Sequence, residues 1–433
     1  MSFRISIWFV LFISTSLLGS SQNSVKVYGI VSDLQTGELL QAATIKNSNN
    51  LQKSGISNVY GYYLIHVEAG EMVAIEASYV GYKSKRFNLN LSNDTVLNIK
   101  LEPGVQLGEF TISASEISKS SLSQIGKMEL PVEAIKYTPS LAGESNILTA
   151  LKTLPGVSAG KEGSSELFVR GGSHDQNLIL LDKSPVYNLN HAFGLLSVFN
   201  SSALKNVSLY KGVISSEYGG RLSSVLDVSV KEGNRKALSG DFTLSTIAAT
   251  ATVEGPIVKD KASFLISARR SWPDIFVSGI SKANNGDMAM GYNFMDINAK
   301  TNFSLKKKHH FYLSLYSGQD KLFAKSDADF QKSEMKQGWG NTIASARYQS
   351  VSGNGSFNEA LIYFSSYNES DLNRINSLEN ESSRGNRSEL KEFGFKTNKD
   401  LGLGQNLSIK FGVDGLYCSI QPPFKLLAGN GIE

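Results

Sequence analysis

Few residues in this chain have the types and spacing that chemistry requires. His66 is followed by Glu68, whereas a zinc peptidase needs a ligand pair such as His-x-x-Glu. On a strand these two side chains share one face without forming a ligand pair, so His66 is assigned a structural role. Gly171-Gly172 could open a phosphate loop, but no Gly-Lys-Ser/Thr follows and no Gly-x-Gly-x-x-Gly opens a helix. Ser173, Ser184 and His174-Asp175 are residue types of a hydrolase, yet there is no Gly-x-Ser-x-Gly elbow, and residues so close in sequence seldom form a triad. They read as loop residues. The single cysteine, Cys418, excludes an intrachain disulfide and a Cys-cluster metal site. It falls in an alternating stretch and reads as a small buried apolar group. The expectation is no enzyme, with no catalytic, metal or cofactor-binding residue and no cofactor.

Composition turns attention to binding and transport. The 433 residues exceed one compact domain, and Gly (39), Tyr (17) and Phe (22) are plentiful against Pro (9) and Trp (3). That balance suits many β-strands joined by turns. Lys+Arg (43) barely exceed Asp+Glu (39), and the longest basic block is Lys306 to Lys308, which argues against nucleic acid as a partner.

The amino terminus predicts export. Arg4 supplies a positive n-region, residues 5–18 an apolar h-region, and Gly19 and Ser21 small residues at the −3 and −1 cleavage positions, so residues 1–21 are expected to be a signal peptide. The apolar run is interrupted by Ser6, Ser14, Thr15 and Ser16 and falls short of the ~20 residues a spanning helix needs. No later segment approaches such a helix, so membrane insertion would require a β-barrel.

Residues 22–103 alternate short apolar runs with turn residues, which predicts a small β-sandwich. Gly29-Ile30-Val31-Ser32-Asp33, Thr36-Gly37-Glu38, Ala43-Thr44-Ile45, Gly61-Tyr62-Tyr63 and Tyr79-Val80-Gly81-Tyr82 resemble the carboxypeptidase regulatory-like domain. Residues 104–126 are Ser-rich and read as a linker. Inside it, Glu109-Phe110-Thr111-Ile112-Ser113-Ala114 alternates over a few positions. It could add as a strand to a partner's sheet edge, or close the sandwich as its last strand.

Residues 127–233 predict a small mixed α/β unit. Ile147, Leu148, Leu151 and Leu154 have helical spacing, stopped by Pro155-Gly156. Strands are expected at residues 177–181, 207–210 and 223–230. Two long motifs lie here in order. The first is Phe168-Val169-Arg170-Gly171-Gly172-Ser173, with Gln176-Asn177-Leu178-Ile179-Leu180-Leu181-Asp182 and Pro185-Val186-Tyr187-Asn188 after it. The second is Leu209-Tyr210-Lys211-Gly212, then Tyr218-Gly219-Gly220-Arg221-Leu222-Ser223-Ser224-Val225-Leu226. Together they resemble the plug of TonB-dependent outer-membrane transporters. One position departs: Lys183 stands where a glycine is usual after the aspartate. The resemblance implies that residues 109–114 are a TonB box. It also implies that Arg170 and Arg221, set among Gly171, Gly172, Gly219 and Gly220, latch the plug to acidic residues of a barrel wall, since a buried Arg needs carboxylate partners.

After residue 233 the period changes to two. Met295, Ile297, Ala299, Phe303 and Leu305 share one face, and Asp296, Asn298, Lys300, Asn302 and Ser304 the other. A soluble sandwich has the same period. Connections decide: those near residues 258–261, 306–308, 352–355 and 401–405 are short, while 272–291, 318–338 and 367–388 are long and polar, the asymmetry of periplasmic turns and external loops. Parity then requires two strands within 238–254, turning near Thr246, and about nine strands in all. A plugged transporter has 22 strands and needs roughly 500 residues for them, so residues 234–433 are expected to be the amino-terminal part of a barrel.

The expected fold is thus multi-domain and mainly β: sandwich, plug, then the first part of a transmembrane antiparallel barrel. The resemblance, to SusC-like or related receptors, implies import of a scarce glycan, peptide or metal complex by energised plug displacement. TonB would be the partner, with a surface lipoprotein and outer-membrane lipid as further ones. The protein would lie in the outer membrane with its amino-terminal domain in the periplasm. Alternatives are a signal-transducing receptor and a passive adhesin or assembly protein.

Overall fold

The computed structural model describes residues 24–48, 54–58, 60–70, 72–79, 81–104, 126–130, 132–138, 143–160, 166–276, 288–306, 308–328, 331–352, 355–377, 381–402 and 408–429. The expected signal peptide and residues 109–114 lie outside them. Two compact units emerge, one built on the strands of residues 24–101 and the other from residue 126 onward.

In the first unit Ser24–Asp33 pairs antiparallel with Tyr62–Glu68 and parallel with Thr95–Val96 and Ile99–Leu101. A second four-stranded sheet runs Gly55–Ile56, Thr44–Asn47, Met72–Ser78, Lys85–Asn90. Alternation sends Val27, Val31, Ile45, Ile65, Ile75 and Ile99 into one shared core, which makes the unit a small sandwich. Two of the motif residues meet, Tyr82 donating its hydroxyl to Asp33 Oδ2 at 2.6 Å. His66 sits half-buried in Tyr62–Glu68, alternating with the core residues Ile65 and Val67.

The second unit begins with a five-stranded mixed sheet in the order Ser184–Pro185, Asn177–Leu181, Ser224–Val230, Leu204–Lys211, Lys127–Leu130. The helix Ile147–Lys152 covers it, started by Asn146, whose side chain accepts from Leu148 N at 2.9 Å. Ile147, Leu148 and Leu151 pack with Val207, Leu226 and Val228.

A nine-stranded antiparallel sheet follows, in sequence order throughout: Ser239–Leu244, Ala248–Val258, Ala262–Ser271, Met288–Leu305, His309–Ala328, Gln331–Val351, Phe357–Ser377, Glu381–Gly402 and Ser408–Gly429. The expected turn near Thr246 separates the first two. Of the stretches 318–338 and 367–388, expected as long external loops, residues 318–328, 331–338, 367–377 and 381–388 are instead continuations of paired strands, with Asp320 opposite Trp339 and Asp371 opposite Asn386. Beyond the hydrocarbon layer both faces meet water, so the ladder can continue without alternating residues, and periodicity does not reveal it. Cys418, expected to be buried, is exposed, because Ser408–Gly429 is an edge of this sheet among the described residues.

Burial on this sheet is inverted relative to a soluble protein. Asp296, Asn298, Lys300 and Asn302 are at most 4% exposed, whereas Met295, Phe303 and Leu305 on the opposite face are 42–45% exposed. Neighbouring strands continue the apolar face with Phe311, Leu313, Leu315, Ile362, Phe393 and Phe395. An apolar face of this extent is unfavourable in water and suits lipid. Among the described residues no helix is long and apolar enough to cross a membrane, so strands carry any crossing.

Candidate functional site: the seam between plug and wall

The polar face of the sheet is buried because the mixed α/β domain lies against it, and the seam combines buried charges and hydrogen bonds with apolar contacts from Leu265, Tyr316 and Ile343 of the wall. Three places carry it.

The first is a charge cluster around His191, which lies on the hairpin Asn190–His191 and Leu196–Ser197. Its Nδ1 is 2.7 Å from Asp320 Oδ2 and its Nε2 2.8 Å from Asp296 Oδ1, both on the wall. With an acceptor at each nitrogen the ring must donate twice and is an imidazolium. It stacks on Phe294 with centroids 4.5 Å apart. Arg269 donates from Nε to Asp296 Oδ2 at 2.9 Å and from Nη2 to the plug carbonyl of Ser197 at 2.6 Å. Tyr316 adds a bond to Asp296 Oδ1 at 3.0 Å. Two cations thus balance two carboxylates, all at most 2% exposed, which is the condition for holding charge in a low-dielectric site. Burial opposes the charge on His191, but the carboxylates outweigh it and raise the pKa above the ordinary 6.5.

The second place is the turn Asp182-Lys183. Lys300 of the wall reaches Asp182 Oδ1 at 2.8 Å and the carbonyl of Val230 at 2.7 Å, and Ser314 donates to Asp182 Oδ2 at 2.9 Å. Burial would raise the Asp182 pKa, yet Lys300 and Arg347 hold it below the ordinary carboxylate value. Lys183, in the position where glycine is usual, has φ of +70° and keeps the left-handed conformation a glycine would take. Its ammonium is tied to Asp227 Oδ2 at 2.6 Å and to the Tyr218 hydroxyl at 2.7 Å, which offsets the strain.

The third is a polar row further along the sheet. Tyr187 hydrogen-bonds Glu392, which also accepts from Tyr363 at 2.6 Å. Asn341 donates to the carbonyl of Asn188 at 2.8 Å, Ser365 to that of Pro185 at 2.7 Å, and Lys410 pairs with Glu217 at 2.5 Å. Where the plug joins the wall, buried Glu232 is paired with Lys205 and Arg235. Burial raises its pKa, but these cations bring it down to about 2.

The residues named from sequence as latches sit elsewhere. Arg170 and Arg221 are both exposed; Arg221 donates to the carbonyl of Gly220 at 3.1 Å, and Arg170 lies over Gly212. Neither forms an ion pair with the wall among the described residues. Gly171, at φ +78°, and Gly172 make the turn after Leu167–Val169, and a Cβ on Gly172 would come within 2.5 Å of Ser223. Gly219 and Gly220 stand in open space, Gly220 at φ +82°. Sequence reasoning missed His191, Arg269 and Asp320. Asp296 and Lys300 were visible as polar-face residues, and ionisable groups amid short polar ones were the available signal.

A pH dependence follows. His191, raised above 6.5, contributes stability that is fully present below 6.5 and is lost as pH climbs through its folded value. Glu232, lowered from 4.5 to about 2, contributes stability present above 4.5 and lost as pH falls toward 2. Protease resistance of the plug is expected to decline on both sides. His191→Gln should remove the alkaline decline and leave the acid one.

A domain seated on the polar face of a lipid-compatible antiparallel sheet is the arrangement of a plug against a barrel wall. Residues 138–224 match the TonB-dependent Receptor Plug Domain, so that stretch of the chain is a plug of the TonB-dependent receptor kind. No curated protein matches the chain by sequence. Solved structures that resemble it include a ferric enterobactin receptor mutant from Pseudomonas aeruginosa, 12% identical over 69% of this chain and 58% of that one, TM-score 0.35. A siderophore receptor from Acinetobacter baumannii is 13% identical over 73% and 59%, TM-score 0.36. The ferric yersiniabactin uptake receptor from Yersinia pestis is 11% identical over 70% and 61%, TM-score 0.36. The chain therefore spans about three fifths of their length.

Proposed function

We propose that this chain is the gating and coupling portion of an energised outer-membrane importer. The observation that carries the reading is the chemistry of the seam. Groups such as Asp182, His191, Asn188 and Tyr187 bond to the wall, and each bond can be exchanged for one to water as the lumen hydrates. Such exchange costs about 1 kcal/mol per neutral bond and more for the charged pairs of Asp182 and His191, and a pull must also part the wall residues Leu265, Tyr316 and Ile343 from the plug core. TonB would dock on Glu109 to Ala114, extending a strand edge, and draw part of the plug away. The sandwich would then lie in the periplasm as a regulatory-like domain of a SusC-like or related receptor. A surface lipoprotein would deliver the ligand. Arg170 and Arg221 keep a proposed latch role toward wall carboxylates other than those described.

Deleting residues 109–114 from the full-length receptor tests the reading. Uptake of a labelled ligand is expected to fall to background while surface binding persists. Unchanged uptake would favour a passive adhesin or assembly protein. A separate deletion of residues 25–101 that abolished gene induction but kept uptake would add a signalling role.

A further inference from the structure

The outward end of the plug carries a feature that holding the seam closed does not require. Directly after His191, the non-glycine residues Ala192 and Phe193 both adopt left-handed backbone, at φ +50° and +57°. Strain of this kind is kept where function uses it. Here it presents Phe193, 60% exposed, against two wall aromatics: its ring is 5.2 Å from Trp339 and 5.8 Å from Tyr292. Beside this platform opens a cavity of about 340 Å³, lined almost wholly by apolar groups such as Leu195, Ile247, Met290 and Leu322.

One buried polar atom lies on the cavity wall and one in the platform beside it. Asp274, on the wall, accepts from Arg270 through Oδ2 at 2.8 Å, while its buried Oδ1 has no donor among the described residues; Trp339, in the platform, is 8% exposed and its indole Nε1 has no acceptor among them. Buried polar atoms are nearly always satisfied, so one donor and one acceptor left open point to a ligand offering both. A peptide unit offers a carbonyl and an N–H. The next strand continues the polar side: Glu369 is the register partner of Trp339 and Asp371 that of Gln337, which turns both toward the same side of the sheet. Arg384, opposite Asn373, lies two rungs further out on that face.

We infer that this platform binds a short peptide carrying a bulky apolar side chain and a positive charge. The apolar side chain would fill the cavity, its backbone would meet Trp339 Nε1 and Asp274 Oδ1, and its cation would face Glu369 and Asp371. A sugar would bury hydroxyls against apolar lining without partners. An anionic metal chelate would face the carboxylates of Glu369 and Asp371. This inference rests on the importer reading and names its cargo.

The test is calorimetric titration of the full-length receptor in detergent with N-acetyl-phenylalanyl-lysine amide, its neutral norleucine analogue, maltohexaose and ferric citrate. The lysine probe should saturate the wild type. Trp339→Phe keeps the ring and loses the N–H, and should weaken both peptide probes about fivefold. Glu369→Gln should weaken the lysine probe about threefold and leave the neutral one unchanged. Should Trp339→Phe fail to fold, the charge-specific effect of Glu369→Gln still decides. Absence of peptide binding, binding of maltohexaose or ferric citrate instead, or indifference to both substitutions overturns the proposal. Binding in detergent needs no TonB. Peptide binding with uptake indifferent to loss of residues 109–114 would therefore sink the importer reading alone, and the converse result would sink the peptide site alone.

Discussion

Asp296→Ala is expected to loosen the plug by about 3–5 kcal/mol, the cost of leaving buried charge without its partner. The carboxylate serves Arg269 and His191 together, at 2.9 and 2.8 Å, and accepts from Tyr316 as well. His191 can shed its proton when the partner is gone; Arg269 cannot. It would keep a full charge at 2% exposure, with Glu144 the nearest remaining carboxylate at 3.9 Å. Water entering the seam is the cheapest relief, so the plug should open toward protease in the full-length receptor at urea concentrations the wild type withstands. The double variant Arg269→Met with Asp296→Leu removes both charges and should recover most of the loss, since apolar replacement of a buried pair is often near neutral. Equal damage in the single and double variants would count against the charge explanation.

Gly233→Ala should be comparably damaging for a different reason. Gly233 lies between the last plug strand, Ser224–Val230, and the first wall strand, Ser239–Leu244, at φ +83°. A Cβ there would stand 2.3 Å from the backbone oxygen of Phe264, which is fixed in the ladder of Ala262–Ser271. Left-handed strain and backbone overlap together are worth about 3 kcal/mol or more. Gly233→Asn separates the two causes, because Asn tolerates positive φ but still carries a Cβ. Both variants should lower the yield of receptor with a protease-resistant plug. A well-folded Asn variant would leave backbone strain as the sole cause.

Local chemistry was legible from the chain alone. The helix carrying Ile147, Leu148 and Leu151, the strand at residues 177–181, the turn near Thr246 and the nine strands all follow from periodicity and turn residues acting over a few positions. The long strand extensions were not legible, because where both faces are wet nothing enforces alternation. The latch was placed on the motif arginines Arg170 and Arg221, while the contacts that hold the described seam come from Asp182, His191, Tyr187 and Asn188, residues without unusual local pattern.

By itself, then, the sequence determined the succession of sandwich, plug and alternating sheet, since each depends on short-range spacing. It also determined that Asp296 and Lys300 share a face opposite Met295 and Phe303. Only the tertiary structure decided that the polar face is the buried one and the apolar face the exposed one. Period two is identical for a water-facing and a lipid-facing sheet; what differs is the body lying against the polar side. The tertiary structure also paired His191 with Asp296 and Asp320, 105 and 129 residues away. No spacing rule reaches that far, because such pairs meet only after the plug is seated on its wall.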